Sequence, residues 1–170
     1  MSRLPDLDES DLKILMELQN DGRMNYAEIS RRTGIPSSTV YDKITRLVNK
    51  GVIKKFTVIL DKEKVGFGVS ALIGVETGAQ LYKNVAKELC QMHELIKVYG
   101  TTAEFDLMAK ARTTSLEKLN EILNSIREIK GVDDIFVIPI LKTFKDEDIV
   151  PLSESIHAFV VEGVTNTKIE

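Results

Sequence analysis

Residues 37–50 read SSTVYDKITRLVNK, and they bring hydroxyls, an amide, a carboxylate and cations together on one side of a helical repeat. Val40, Ile44, Leu47 and Val48 recur at i, i+4, i+7 and i+8, the spacing of an apolar stripe turned toward a core. The opposite side carries Ser38, Tyr41, Asp42, Thr45 and Asn49. Such side chains donate to and accept from base edges in a major groove, where every base pair presents its own pattern of donors and acceptors. Ser37 and Thr39 at the start of the helix add hydroxyls, and Lys43, Arg46 and Lys50 add charge for phosphate oxygens. Phosphate contacts position a protein on a duplex without reading its sequence.

Charge is distributed to match. The 170-residue chain has a net charge of −3, which argues against general nucleic-acid stickiness. Residues 23–55, however, hold eight basic side chains (Arg23, Arg31, Arg32, Lys43, Arg46, Lys50, Lys54 and Lys55) against Glu28 and Asp42, a local charge of +6. This footprint predicts an affinity that falls with salt.

A reading helix has to be held at a fixed angle, and the preceding residues supply the holder. Asn25 followed by Glu28 is a capping-box-like start, with Met24 and Ile29 as its hydrophobic staple. Gly34 closes that first helix, because the chain turns there through a left-handed residue. The second helix opens at Pro36 or Ser37. Upstream, residues 7–21 read as a third helix with Asp8 as N-cap, Leu7 and Leu12 as staple, and Leu12, Leu15, Met16 and Leu18 inward. Gly22 ends it. With a short strand after Gly51, these elements make a winged or extended helix-turn-helix DNA-binding domain over residues 1–53. A domain this small is marginal in stability by itself.

Residues 54–60 alternate Phe56, Val58 and Leu60 with Thr57 and Ile59, an apolar strand that needs a partner. It belongs to a hinge and linker over residues 54–67. From Gly68 the pattern changes to a strand at 69–76, a helix at 81–92 with Leu81, Val85, Leu89 and Met92 on one side, and a hairpin at 95–99 and 105–112. A helix at 116–129 follows, with Leu116, Leu119, Leu123 and Ile126 inward, and then a strand at 134–144. The order βαββαβ predicts an α+β architecture, a ferredoxin-like sandwich of two helices on a four-stranded antiparallel sheet over residues 68–145. In the last strand Ile135, Val137 and Leu141 alternate with Phe136, Ile138 and Ile140, so both faces are apolar while helices cover one. The uncovered face is expected to pack on a second copy, giving a homodimer. Two reading helices in a dimer would meet major grooves about 34 to 36 Å apart.

Other chemistries find little support. Cys90, the single cysteine, sits at helical spacing beside Ala86 and Leu89 and is expected to be a buried thiol rather than a nucleophile. His93 and His157 are the only histidines. No HxxxH or CxxC spacing offers a metal site, no glycine-rich phosphate loop follows a strand, and no cofactor is implied. Ferredoxin-like folds host small hydrolases, so the fold alone excludes nothing, but no catalytic set is present to support an enzyme. The first residues lack the apolar core of a signal peptide, and the run IFVIPIL is too short to cross a bilayer. One cysteine suits a reducing cytoplasm.

Two stretches, LDESDLKILMELQNDGRMNYAEISRRTGIPSSTVYDKITRLVNKGVIKKFTVILD and VYGTTAEFDLMAKAR, together with the order of elements, resemble the Lrp/AsnC family of leucine-responsive or feast/famine transcription regulators. The resemblance covers about residues 6–145. It implies a hinge strand paired with its twin across a dimer, a C-terminal amino-acid-sensing domain, and assembly as dimers and often octamers, with effector amino acids held between dimers. The family's effector region falls on the hairpin loop, here Tyr99, Gly100, Thr101, Thr102, Ala103, Glu104, Phe105 and Asp106. Backbone N–H groups near Gly100 and the Thr101 and Thr102 hydroxyls suit an α-carboxylate, and Glu104 or Asp106 suits an α-ammonium. The alternative reading of the loop is a polar turn. The alternative reading of the whole chain is an architectural, chromatin-like DNA binder without an effector.

The chain departs from the family pattern in three places. Asp42 stands where relatives often carry a cation, so it either accepts from cytosine amino groups or weakens phosphate contact. Pro36 occupies the usual N-cap position without a side-chain acceptor, so Ser37 is expected to cap and shift the helix start by one residue. Residues 146–170 run past the usual end, with an acidic patch at Asp146, Glu147 and Asp148 and an expected strand at 156–161. That extension either braces an interface between dimers or covers a sheet edge, the second being favoured.

Overall fold

The computed structural model of the chain describes residues 7–153, so the strand expected at 156–161 lies outside the described residues. The chain divides into two compact units between Ile59 and Leu60, and residues 147–153 belong with the first.

The first unit has three helices, α1 (Glu9–Asn20), α2 (Tyr26–Thr33) and α3 (Ser37–Asn49). Asp8 caps α1 in a complete capping box, its side chain accepting from the Asp11 amide while the Asp11 carboxylate accepts from the Asp8 amide. The helix stops at Asp21, one residue before Gly22. Ile14 is buried and Leu15 only half-buried, a correction to the expected inward set. Asn25 caps α2 through the Glu28 amide, and Gly34 ends it at φ +74°. Pro36 takes the N-cap position of α3 with no side-chain bond, so Ser37 is the first helical residue and not the cap. Proline's fixed φ suits entry into a helix, although it leaves the first-turn N–H groups without a side-chain acceptor from the cap. Ile14, Ile29, Val40 and Ile44 form the buried cluster, with Leu18, Met24, Ile35 and Ile53 against it. Val48, expected inward, is 43% exposed.

The strand expected after Gly51 does not form. Gly51, at φ +71°, donates to Val48 O, and Val52 donates to Leu47 O, so this stretch seals the end of α3 as a Schellman motif. Residues 54–60 carry no ladder among the described residues, and Phe56, Val58, Ile59 and Leu60 are exposed. A strand is defined by its partner, and here it has none. Further along, the Gln19 carboxamide bonds the Val150 backbone twice, Nε2 to O at 3.1 Å and N to Oε1 at 2.9 Å.

The second unit runs β1 (Val69–Thr77), α4 (Tyr82–Gln91), β2 (Leu95–Gly100), β3 (Leu107–Thr113), α5 (Leu116–Arg127) and β4 (Val132–Pro139). Its antiparallel sheet has the order β2-β3-β1-β4, the α+β sandwich that the βαββαβ pattern predicts. Alternate residues Ala71, Ile73 and Val75 of β1 and Leu107, Ala109 and Ala111 of β3 pack against Val85 and Leu89 of α4 and Leu119, Ile122 and Ile126 of α5. Ile135 and Val137 of β4 join this side. The same period sends Phe136 and Ile138 to the other face, 54% and 41% exposed. Leu116 and Leu141 are exposed rather than inward. Leu116 opens its helix, where half a turn faces solvent, and Leu141 lies past the end of β4. Cys90 is also exposed, because its neighbour Leu89 takes the inward position.

Candidate DNA interface and effector loop

On α3 the reading face is laid out as the spacing predicts. Ser37, Ser38, Tyr41, Asp42, Thr45, Asn49 and Lys50 are all exposed, and Thr39 is half-buried. The Tyr41 ring meets Tyr26 of α2 edge-on, with centroids 5.5 Å apart, which fixes its direction. Glu28 does not close a capping box. Its carboxylate instead takes Arg31 at 2.6 Å and Arg32 at 2.7 Å, and Arg32 also reaches Glu17. The hydrogen bonds from Arg31 and Arg32 hold the Glu28 carboxyl down at about 2.

Lys43 and Arg46, expected to meet phosphate, turn instead toward α1. Lys43 Nζ lies 2.5 Å from Asp8 and 3.0 Å from Asp11, and Arg46 bonds Asp11 as well. Asp11 is fully buried. Burial alone would raise the Asp8 carboxyl and lower the Lys43 ammonium, but their mutual bonds reverse both directions. A carboxylate buried beneath α3 therefore holds two of its cations and sets how the helix sits on α1. Nothing in the sequence pairs residues more than thirty positions apart in this way; the one available signal was the repeat of acidic residues at Asp8 and Asp11 beside basic residues at Lys43 and Arg46, both three apart.

The hairpin loop is more internally tied than its composition suggests. Thr101 N donates to Asp106 O at 2.9 Å, and the Thr101 hydroxyl donates to Phe105 O. One Asp106 carboxylate oxygen accepts from the Thr77 amide at 2.9 Å. Tyr99, Gly100, Thr102, Ala103 and Glu104 are exposed. The Phe105 ring lies over Gly74, where a Cβ would come within 2.6 Å of it, and stacks on Phe136 with centroids 5.6 Å apart. Gly100 abuts the Tyr82 hydroxyl, which would have to move aside for a Cβ. Tyr82 and Gly74 were not legible as parts of this site. The loop thus leaves Thr102, Glu104, Tyr99 and one Asp106 oxygen facing outward.

Comparison with known proteins gives the arrangement a place. A winged helix-turn-helix DNA-binding profile matches residues 7–54, and an Lrp/AsnC ligand-binding domain profile matches residues 70–150. The HTH-type transcriptional regulator FL11 of Pyrococcus horikoshii is 42% identical over 150 residues, 88% of this chain and 99% of that protein. The chain belongs to the Lrp/AsnC family of transcription regulators. FL11 of Pyrococcus furiosus is 38% identical over 86% of this chain and 97% of its own. Among solved structures, a Neisseria meningitidis transcriptional regulator in complex with L-methionine superposes with a TM-score of 0.81 at 26% identity, over 88% of this chain and 99% of that one. Escherichia coli AsnC, at 23% identity and a TM-score of 0.78 over 84% and 97%, shares the fold. As a member of the Lrp/AsnC family the chain is a DNA-binding transcription regulator with a ligand-binding domain, not an enzyme. Among the described residues no helix is long and apolar enough to cross a membrane, and no group of acidic, histidine or cysteine side chains is placed to hold a metal.

Proposed function

We propose that this Lrp/AsnC-family regulator reads operator DNA through the exposed face of α3 and is modulated by a small amino acid at the loop carrying residues 99–106. The observation that carries the reading is the row Ser38, Tyr41, Asp42, Thr45 and Asn49, exposed along one side of a helix whose other side is fixed to α1 and α2. Ser37, Thr39 and Lys50 flank it. Lys43 and Arg46 act by positioning the helix, with Arg31, Arg32 and Lys50 nearer the phosphates.

Support for an amino acid comes from the Neisseria meningitidis relative, which holds L-methionine. In this chain Thr102 and the amides near Gly100 would meet the α-carboxylate, and Glu104 or the outer oxygen of Asp106 the α-ammonium. The exposed Phe136 and Ile138 support a homodimer through the sheet, and exposed residues 54–60 support a hinge strand that pairs with its twin. Higher assembly, up to an octamer of four dimers, follows the family pattern, and the single cysteine suits the cytoplasm. An effector that shifts the spacing of the paired reading helices needs a coupling of about 1 to 3 kcal/mol.

Gel shift on genomic fragments, including the chain's own promoter, with and without each amino acid, tests the reading. Selective retention changed by one amino acid supports it. Equal binding to every fragment, indifferent to all amino acids, replaces it with the architectural binder. Asn49→Ala should relax selectivity by about 1 to 3 kcal/mol at one base position.

A further inference from the structure

The reading helix α3 carries a single aromatic side chain, Tyr41, set among hydroxyls, an amide and a carboxylate. Ser38, Tyr41, Asp42 and Thr45 stand at i, i+3, i+4 and i+7, the spacing of one helix face. Val40 and Ile44, which flank Tyr41 in sequence, are buried, so the backbone beneath the ring is fixed in the core. The ring itself is 52% exposed. A side chain that reaches into water ordinarily spreads over several rotamers.

Tyr41 is held from a second helix. Tyr26, the first residue of α2, meets it with ring planes at 74° and centroids 5.5 Å apart. Tyr26 is fixed at its own base, since Asn25 caps α2 and Ile29, three residues on, is fully buried. In an edge-to-face pair the positive rim of one ring rests on the negative face of the other, so the contact sets the plane of Tyr41 as well as its place. Tyr26 is itself 44% exposed, so filling the core does not account for an aromatic ring there.

What such a ring can read follows from the chemistry of the major groove. Donors and acceptors on the base edges are met by Ser38, Asp42, Thr45 and Asn49. The C5-methyl of thymine is the one apolar mark on those edges, and an aromatic ring offers it a surface that a hydroxyl or a carboxylate does not. A ring already held at one angle loses little torsional freedom on contact, so its discrimination is larger than that of a swinging ring.

We propose that Tyr41 reads a thymine methyl group and that Tyr26 is the positioning residue behind it, a determinant of specificity placed outside the reading helix. The inference rests on α3 being the helix that reads operator DNA. It involves neither the loop at residues 99–106 nor the two surfaces assigned to a second copy, the outer sheet face and residues 54–60.

The test begins by selecting binding sites for the full chain from a randomised duplex library. Each thymine of the recovered sequence is then replaced singly by deoxyuridine, which removes only the methyl group. At one thymine the replacement should weaken wild-type binding about fourfold, the effect of burying one methyl-sized group. In Tyr26→Ala that ratio should fall to about one, with the salt slope and the other positions unchanged. Tyr26→Phe keeps the bracing ring and Tyr41→Phe keeps the reading ring, so both should retain the ratio, whereas Tyr41→Ala should lose it. A library from which the wild type recovers no recurring sequence removes operator reading itself, and this inference with it, before any variant is made. Once a sequence is recovered, the assignment is overturned if no thymine responds to deoxyuridine, if Tyr26→Ala keeps the wild-type ratio, or if Tyr41→Phe loses it as Tyr41→Ala does.

Discussion

The two units of this regulator solve the problem of holding a functional surface in opposite ways. The sheet unit gathers twelve buried apolar residues into one cluster, so its loops hang from a large core. Among the described residues the DNA-binding unit has a smaller buried cluster, Ile14, Ile29, Val40 and Ile44, with Leu12 and Leu47 also fully buried, and it adds a buried carboxylate, Asp11, tied to Lys43 and Arg46 of the reading helix. Apolar packing is non-directional, whereas ion pairs with fixed hydrogen bonds specify one geometry. A small unit whose task is to present one helix at one angle gains from the second; a sandwich whose angle is set by six packed elements does not need it.

Breaking each device in turn measures the contrast. The largest effect is expected from Ile73→Ala in the sheet core, about 4 kcal/mol, read as faster amide exchange throughout β1 and β3 with α1–α3 unchanged. Asp11→Asn keeps the volume and removes the charge, leaving Lys43 and Arg46 short of their counter-ion; about 3 kcal/mol should be lost from α1–α3 exchange protection, together with operator affinity. If exchange in α1 and α3 stayed as in the wild type, the ion network would be ornamental and the contrast would collapse. Gly74→Ala comes next at about 2 kcal/mol, since its Cβ must push the Phe105 ring aside, and chemical shifts of the loop at residues 99–106 should report the displacement.

The smallest effect belongs to Glu28, which is half-buried on α2. Its folded carboxyl titrates at about 2, below the ordinary 4.5, because Arg31 and Arg32 bond the charged form. A depressed carboxyl contributes stability that is present above about 4.5 and fades as pH falls toward 2. A side-chain carboxyl NMR titration with its midpoint near 4.5 would remove these pairs from the account.

Much of this was legible beforehand, because it depends on local rules. The Asp8 and Asn25 caps, the turn at Gly34 and the alternation in β1 and β4 are each decided within a few residues. The misses share a different cause. Val48 sits at the edge of its helix stripe, where a small fraction of a turn decides between inside and outside, and Cys90 lost its inward place to an adjacent leucine. Asp11 against Arg46, Phe105 over Gly74 and Asp146 against Lys110 join residues about thirty apart in sequence. No periodicity encodes such pairs. The expected strand after Gly51 failed for a third reason, since its first amides were already committed to the end of α3.

The Gln19 clamp on Val150 has its own consequence for tolerance to change. A glutamine amide sets an N–H donor beside its carbonyl acceptor, so it meets the N–H and the C=O of one residue together, and it engages only the backbone of its partner. The grip is therefore blind to the identity of the side chain at position 150. Nineteen of the genetic code's choices leave it intact in principle; proline, which has no N–H to give, is the one that halves it.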